Sequence, residues 1–203
     1  MQVNVFAIRH GETAWSLNGR HTGITDIPLT DNGQRLAERL RPVLAKEAFA
    51  RVFVSPMQRA RQTCELAGLG EAAVIDPDLT EWNYGEYEGL TPRQIHEKRS
   101  GWLIFRDGCP GGETPEQAGA RVDRVIARAR AVEGNVALLR TDTYSASSQR
   151  AGLGSRRAPE SISCSTRAPY ACSAITATFP PSRLGMARCP GRSAGPSRSH
   201  AVH

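Results

Sequence analysis

Nowhere in the 203 residues does an apolar run approach the ~18 that a membrane-crossing helix needs, so no span and no membrane partner are expected. The opening MQVNVFAI lacks a basic stretch and a small-residue cleavage site, which argues against a secretory leader. Cysteine is sparse: five residues, an odd number without metal-ligand spacing, which points to reduced thiols and a cytoplasmic protein. Two absences are local. Residues 140–203 contain no lysine, and no histidine occurs between His96 and His200.

The net charge of +6 invites a nucleic-acid reading, but it is not spread along the chain. Residues 1–139 carry 17 Lys and Arg against 18 Asp and Glu, a net of −1. Residues 140–203 carry nine Arg against two acids, a net of +7. That last third is Ala, Arg, Ser, Pro or Gly at 42 of 64 positions and holds three of the five cysteines. It shows no RS or RGG period, which counts against an RNA-binding tail, and no nucleic-acid partner is expected. The two parts, 1–139 and 140–203, call for separate readings.

The first part alternates strands and helices. VNVFAI (3–8), RVFVSP (51–56), AAVIDP (72–77) and GNVALL (134–139) read as strands. A helix is expected from Thr30 through TDNGQRLAERLRPVLAKE, with apolar residues at 36, 37, 40, 43 and 44. MQRARQTCELAGL and TPRQIHEKR (91–99) read as further helices. Thr114, Pro115 and Gln117 form a capping box with proline at the first helical position, opening a helix to about Ala131. The pattern predicts an α/β fold: a three-layer sandwich with a mostly parallel central sheet flanked by helices.

Chemistry gathers where these strands end, as is usual for α/β sheets. RHGET (9–13) follows the first strand. Gly11 permits close backbone approach, Arg9 offers a planar fork for phosphate oxygens, and His10 suits a base, a nucleophile or a ligand. SPMQRARQT (55–63) places Arg59 and Arg61 on the first turn of a helix, where anions are favoured. Two apart, they cannot share a face, so one is expected to point inward and the other out. EWNYGEYEG (81–89) sets Glu81, Glu86 and Glu88 among aromatics and glycines. A carboxyl desolvated beside Trp82 and Tyr84 suits a general acid.

In this order, RHGET, SPMQRARQT and EWNYGEYEG resemble the histidine phosphatase (phosphoglycerate mutase-like) superfamily over residues 3–139. RHGETAWSLNGRHTGITDIPLT, EWNYGEYEG and FRDGCPGGET are closest to its sedoheptulose-1,7-bisphosphatase and acid phosphatase types. Ser16, where mutases usually carry asparagine, and the missing insert between 90 and 115 favour phosphatase over mutase. The resemblance implies that His10 attacks phosphorus to form a phosphohistidine, Arg9 and Arg59 hold phosphoryl oxygens, and Glu81 serves as acid and then base. It further implies contacts to the phosphate ester from Gly11, Glu12, Thr13, Ser16, Thr22, Gly23 and Tyr84. No cofactor and no metal are implied, because arginines and histidines neutralise the phosphate. The alternatives are mutase-type phosphoryl transfer or a non-catalytic pseudoenzyme or unstable fragment. The oligomeric state is not legible.

The resemblance also implies a second histidine just after the GNVALL strand, in an Ala-His-Gly-His type motif. Here the chain reads LLRTDTYS, with Thr141 in its place. A single-base loss accounts for this. CTC TTC GCG CAC GGA CAC spells Leu-Phe-Ala-His-Gly-His; without one C of TTC it spells Leu-Leu-Arg-Thr-Asp, which is Leu138 to Asp142. Shifted back, the codons of Thr141 to Ser155 allow the missing motif followed by an amphipathic helix, and those of Ser161 to Thr176 allow a pair of strands. Residues 140–203 are therefore expected to be an out-of-frame, unstructured C-terminus that removes cover from the GNVALL strand.

Overall fold

The computed structural model describes residues 3–140 and two short stretches, 163–165 and 174–179. The elements in chain order are β1 (Val3–Arg9), α1 (Ala14–Leu17), α2 (Asp31–Glu38), α3 (Arg41–Leu44), β2 (Phe49–Val54), α4 (Gln58–Leu66), β3 (Ala73–Ile75), α5 (Pro92–Lys98), α6 (Ile104–Asp107), α7 (Pro115–Arg130), β4 (Asn135–Arg140), β5 (Ser163–Ser165) and β6 (Ala174–Phe179). Every strand expected in the first 139 residues is present. The long helix from Thr30 is two. Thr30, where the helix was expected to start, caps α2 through the Gly33 N–H, but α2 ends at Glu38 and α3 begins at Arg41. Pro42 is the cause: it has no N–H to donate to Glu38, and its ring crowds that carbonyl.

The strands form one sheet in the order β3-β2-β4-β1-β6-β5. β3, β2, β4 and β1 run parallel. β6 joins β1 antiparallel, with Val3 opposite Phe179 and Ile8 opposite Ala174, and β5 pairs antiparallel with β6. Apart from these two strands, the expectations for 141–203, including Thr141, lie outside the described residues.

β4 sits at the centre, and its composition follows from that place. A parallel strand covered on both faces can be apolar at every position. Val136, Ala137, Leu138 and Leu139 are all buried. Ala137 and Leu139 join Ile8, Val52 and Val54 under Leu44 and the α4 residues Ala60 and Cys64. Val136 and Leu138 join Val5 and Leu79 under Val125 and Ala129 of α7. Each fully buried Val, Leu or Ile contributes about 1.5–3 kcal/mol. α4 packs on one face of this strand and α7 on the other. β1, β2 and β4 end together at Arg9, Val54 and Arg140, and their carboxyl ends set the floor of the candidate site.

Candidate active site

Leaving β1, the chain is tied down one residue at a time. The His10 N–H donates to the Arg140 carbonyl at 3.2 Å, which fixes the turn to the end of β4. The Gly11 N–H donates to Thr63 Oγ1 at 3.0 Å, and that hydroxyl donates to the Arg59 carbonyl at 2.7 Å. Thr63 lies one helical turn after Arg59, so it couples the histidine loop to the helix that carries the arginine. Gly11 has no room for a side chain: a Cβ would lie 2.6 Å from the Gly33 carbonyl oxygen. A Cβ on Gly33 would meet the Glu12 carbonyl at 2.2 Å. Facing glycines let the first turn of α2 lie directly on the loop.

His10 is 7% exposed. Its Nδ1 lies 2.6 Å from the Gly11 carbonyl oxygen. A carbonyl only accepts, so Nδ1 carries the proton and Nε2 keeps its lone pair. Burial, then the nearby charges of Arg59, Arg9 and Arg140, bring its pKa down to about 3. The imidazole is therefore neutral at pH 7, with its orientation fixed by the loop.

Arg59 is fully buried and Arg61 exposed, which is the inward–outward split expected of residues two apart on a helix. Arg59 reaches across to the 23–25 loop, donating from one terminal nitrogen to the Gly23 carbonyl at 2.8 Å and from the other to the Thr25 carbonyl at 3.0 Å. Arg9 stands beside Arg140 in the β1–β4 register. α4 has no capping side chain of its own; Asp26 supplies the cap, accepting from the Gln58 N–H at 2.7 Å.

Glu81 is 3% exposed and sits on the same segment as the buried Trp82. Its Oε1 accepts the Trp82 N–H at 2.9 Å. The segment is clamped from α7. Arg121 donates to the carbonyls of Asp78, Thr80 and Glu81 and to both oxygens of Glu113, at 3.0 and 2.8 Å. Glu113 in turn accepts the Asn83 N–H at 2.9 Å, and its carbonyl accepts the Trp82 indole N–H at 3.2 Å.

The other sequence-stated positions divide. The Tyr84 ring stacks on His21 with centroids 4.6 Å apart and flanks Gly23. Glu12 is buried with its carboxylate bonded to Thr30 Oγ1 at 2.6 Å and Asn32 Nδ2 at 3.1 Å, so it holds the cap of α2. The Thr13 and Ser16 hydroxyls form the capping box of α1. Thr22 Oγ1 donates to the Arg20 carbonyl at 3.4 Å. These four therefore have structural duties inside the chain. Thr63, Asp26, Arg121 and Glu113 escaped the sequence reading because each works across a long chain separation with no local pattern.

Comparisons with known proteins agree with this geometry. The family described as the histidine phosphatase superfamily (branch 1) matches residues 5–140. A sedoheptulose 1,7-bisphosphatase of Saccharomyces cerevisiae is 42% identical over 144 residues, covering 60% of this chain and 53% of that protein. An acid phosphatase of Mycobacterium tuberculosis is 45% identical over 124 residues, covering 60% and 61%. A probable phosphoglycerate mutase of Photorhabdus laumondii is 29% identical over 136 residues, covering 66% and 62%. Among solved structures, an open-reading-frame product of Mycobacterium tuberculosis matches with a TM-score of 0.66 at 39% identity, covering 70% of this chain and 75% of that one. A phosphoglycerate mutase of Thermus thermophilus matches with a TM-score of 0.54 at 32% identity, covering 68% and 77%. The chain spans between about half and three fifths of the length of the curated relatives it matches. With the family matched across two thirds of its length and the motifs placed around one buried histidine, the chain belongs to the histidine phosphatase superfamily.

Proposed function

We propose that this chain is a phosphomonoesterase acting on a sugar phosphate or similar small phosphate ester through a phosphohistidine intermediate. The observation that carries the reading is His10, buried, neutral and with its Nε2 lone pair left to attack, beside Arg59. Nε2 attacks phosphorus as the ester bond breaks. Glu81 gives its proton to the departing alkoxide, and Arg9 and Arg59 hold the phosphoryl oxygens. Glu81 then takes a proton from water, which attacks the phosphohistidine and releases inorganic phosphate. Gly23 and Tyr84 contact the ester group. No metal or other cofactor takes part. Phosphatase is favoured over mutase because the relatives so named are 42% and 45% identical, against 29% to 34% for those named mutase. A cytoplasmic location fits the free thiols of Cys64 and Cys109.

The reading includes lowered activity in this chain, because Thr141 stands where the family's second histidine is expected. Loss of one such stabilising group typically costs ~10²–10³ in rate. The test compares p-nitrophenyl phosphate hydrolysis by this chain and by one with its reading frame restored at codon 139. Restoration is expected to raise the rate about a hundredfold, and His10→Ala to abolish it in both. Equal rates would refute the impairment. An intact TTG codon in the gene, with no family-like overlapping frame, would refute the frame shift.

A further inference from the structure

The phosphoryl-transfer reading assigns no duty to Glu88, yet its carboxylate sits at the back of the loop that orients Arg59. Glu88 Oε1 accepts two backbone N–H groups, from Gly23 at 2.7 Å and Thr25 at 3.0 Å. The carbonyls of those same residues are the ones Arg59 binds, at 2.8 and 3.0 Å. One carboxylate and one guanidinium therefore grip the same two residues, one by the N–H groups and the other by the carbonyls. The surroundings leave the loop no other seat. It is paired to the chain after Glu88 by the His21 N–H to the Leu90 carbonyl and the Gly89 N–H to the His21 carbonyl, both at 2.9 Å. Gly23 is pressed so close that a Cβ would lie 2.4 Å from the Trp82 carbonyl oxygen and 2.5 Å from Glu88 Oε2. Glu88 Oε2 is itself buried with no hydrogen-bond partner among the described residues, so the loop N–H groups are the hydrogen bonds that fix this carboxylate.

We propose that Glu88 is a positioning residue for Arg59: its carboxylate sets the 23–25 loop, whose two carbonyls turn the guanidinium toward the phosphate group of the substrate. The inference rests on the phosphoryl-transfer reading above. A displacement near 1 Å at such a group is worth up to about a hundredfold in binding or rate, so a carboxylate one loop away has leverage.

The test is a titration of the full chain with inorganic phosphate, with melting followed in parallel. Arg59→Ala is expected to weaken phosphate binding by ~10²-fold. Glu88→Ala is expected to weaken it about tenfold, while Glu88→Gln, whose amide oxygen still accepts both N–H groups, stays within about threefold. Because Glu88 acts through Arg59, the double variant should bind no more weakly than Arg59→Ala alone. Should Glu88→Ala fail to fold, Glu88→Asp, one methylene short of the loop, carries the test with an expected loss of about threefold to tenfold. A folded Glu88→Ala or Glu88→Asp variant that melts earlier but binds phosphate as the parent does would overturn the proposal, as would losses that multiply in the double variant of Glu88→Ala with Arg59→Ala. A parent chain that does not bind phosphate, or binding indifferent to Arg59→Ala, would instead overturn the reading of the site and the proposal with it.

Discussion

Arg59 and Arg121 are both buried, at 0% and 9% exposure, but they are held by different partners. Arg59 donates to two backbone carbonyls, which orient its guanidinium. Arg121 is closed by both oxygens of Glu113, which neutralise it, and its remaining N–H groups clamp the carbonyls around Glu81. In the proposed reaction Arg59 holds a substrate oxygen, while Arg121 belongs to the frame. The proposed site thus has a reacting side around β1 and α4 and a supporting side around α7.

Substitution should separate them. Arg59→Ala is expected to lower phosphate affinity and turnover by ~10²–10³ with a modest change in melting temperature. Arg121→Met leaves the half-buried Glu113 and the carbonyls of residues 78–81 without their donor and is expected to cost about 1–3 kcal/mol in denaturant unfolding while phosphate affinity changes little. Two variants with the same profile would erase the distinction.

The halves should also answer to different pH windows. The folded-state pKa of His10 lies at about 3, below its ordinary 6.5. As pH falls below 6.5, the unfolded chain takes up a proton that the folded chain refuses, so stability declines by about 1.4 kcal/mol per pH unit until the pH nears 3. His10→Gln should flatten that slope in unfolding measured between pH 7 and 4. On the α7 side, Asp78 is held down to about 2 by hydrogen bonds to Arg124, and also to Arg128. Its contribution is present above its ordinary 3.8 and is lost only as pH drops from there toward 2. A smaller effect is expected from Gly33→Ala, where the new methyl meets the Glu12 carbonyl; about 1–3 kcal/mol of stability should go, seen as a lower melting temperature. Smallest is Arg93→Ala, which removes the exposed pair with Glu97 and should alter stability by at most about 0.5 kcal/mol.

The reacting side was readable in sequence because it is written in short motifs. The strands ending near Arg9 and Val54 follow from runs of apolar residues; helical spacing set one of Arg59 and Arg61 inward, and the family resemblance chose Arg59. The supporting side was not readable. Glu113 and Arg121 are eight apart and bind a segment 30 to 43 residues earlier in the chain, and nothing local marks such a pairing. Asp26 caps a helix 32 residues away, where a search for an adjacent cap finds only Met57. The one long helix expected from Thr30 was wrong because apolar spacing persists through Pro42 while the hydrogen-bond ladder does not. Glu12, Thr13 and Ser16 stand within a motif that suggests contact with phosphate. Their side chains also hold the caps of α1 and α2, a duty that hydrogen-bond geometry reveals and residue type does not.

The most direct test of the account is to incubate the chain with p-nitrophenyl phosphate and search for an acid-labile phosphoryl group on His10 by mass spectrometry. The adduct is expected on His10 and is expected to be lost, together with hydrolysis, in His10→Ala. Hydrolysis that survives His10→Ala, or a phosphoryl group carried on another residue, would contradict it.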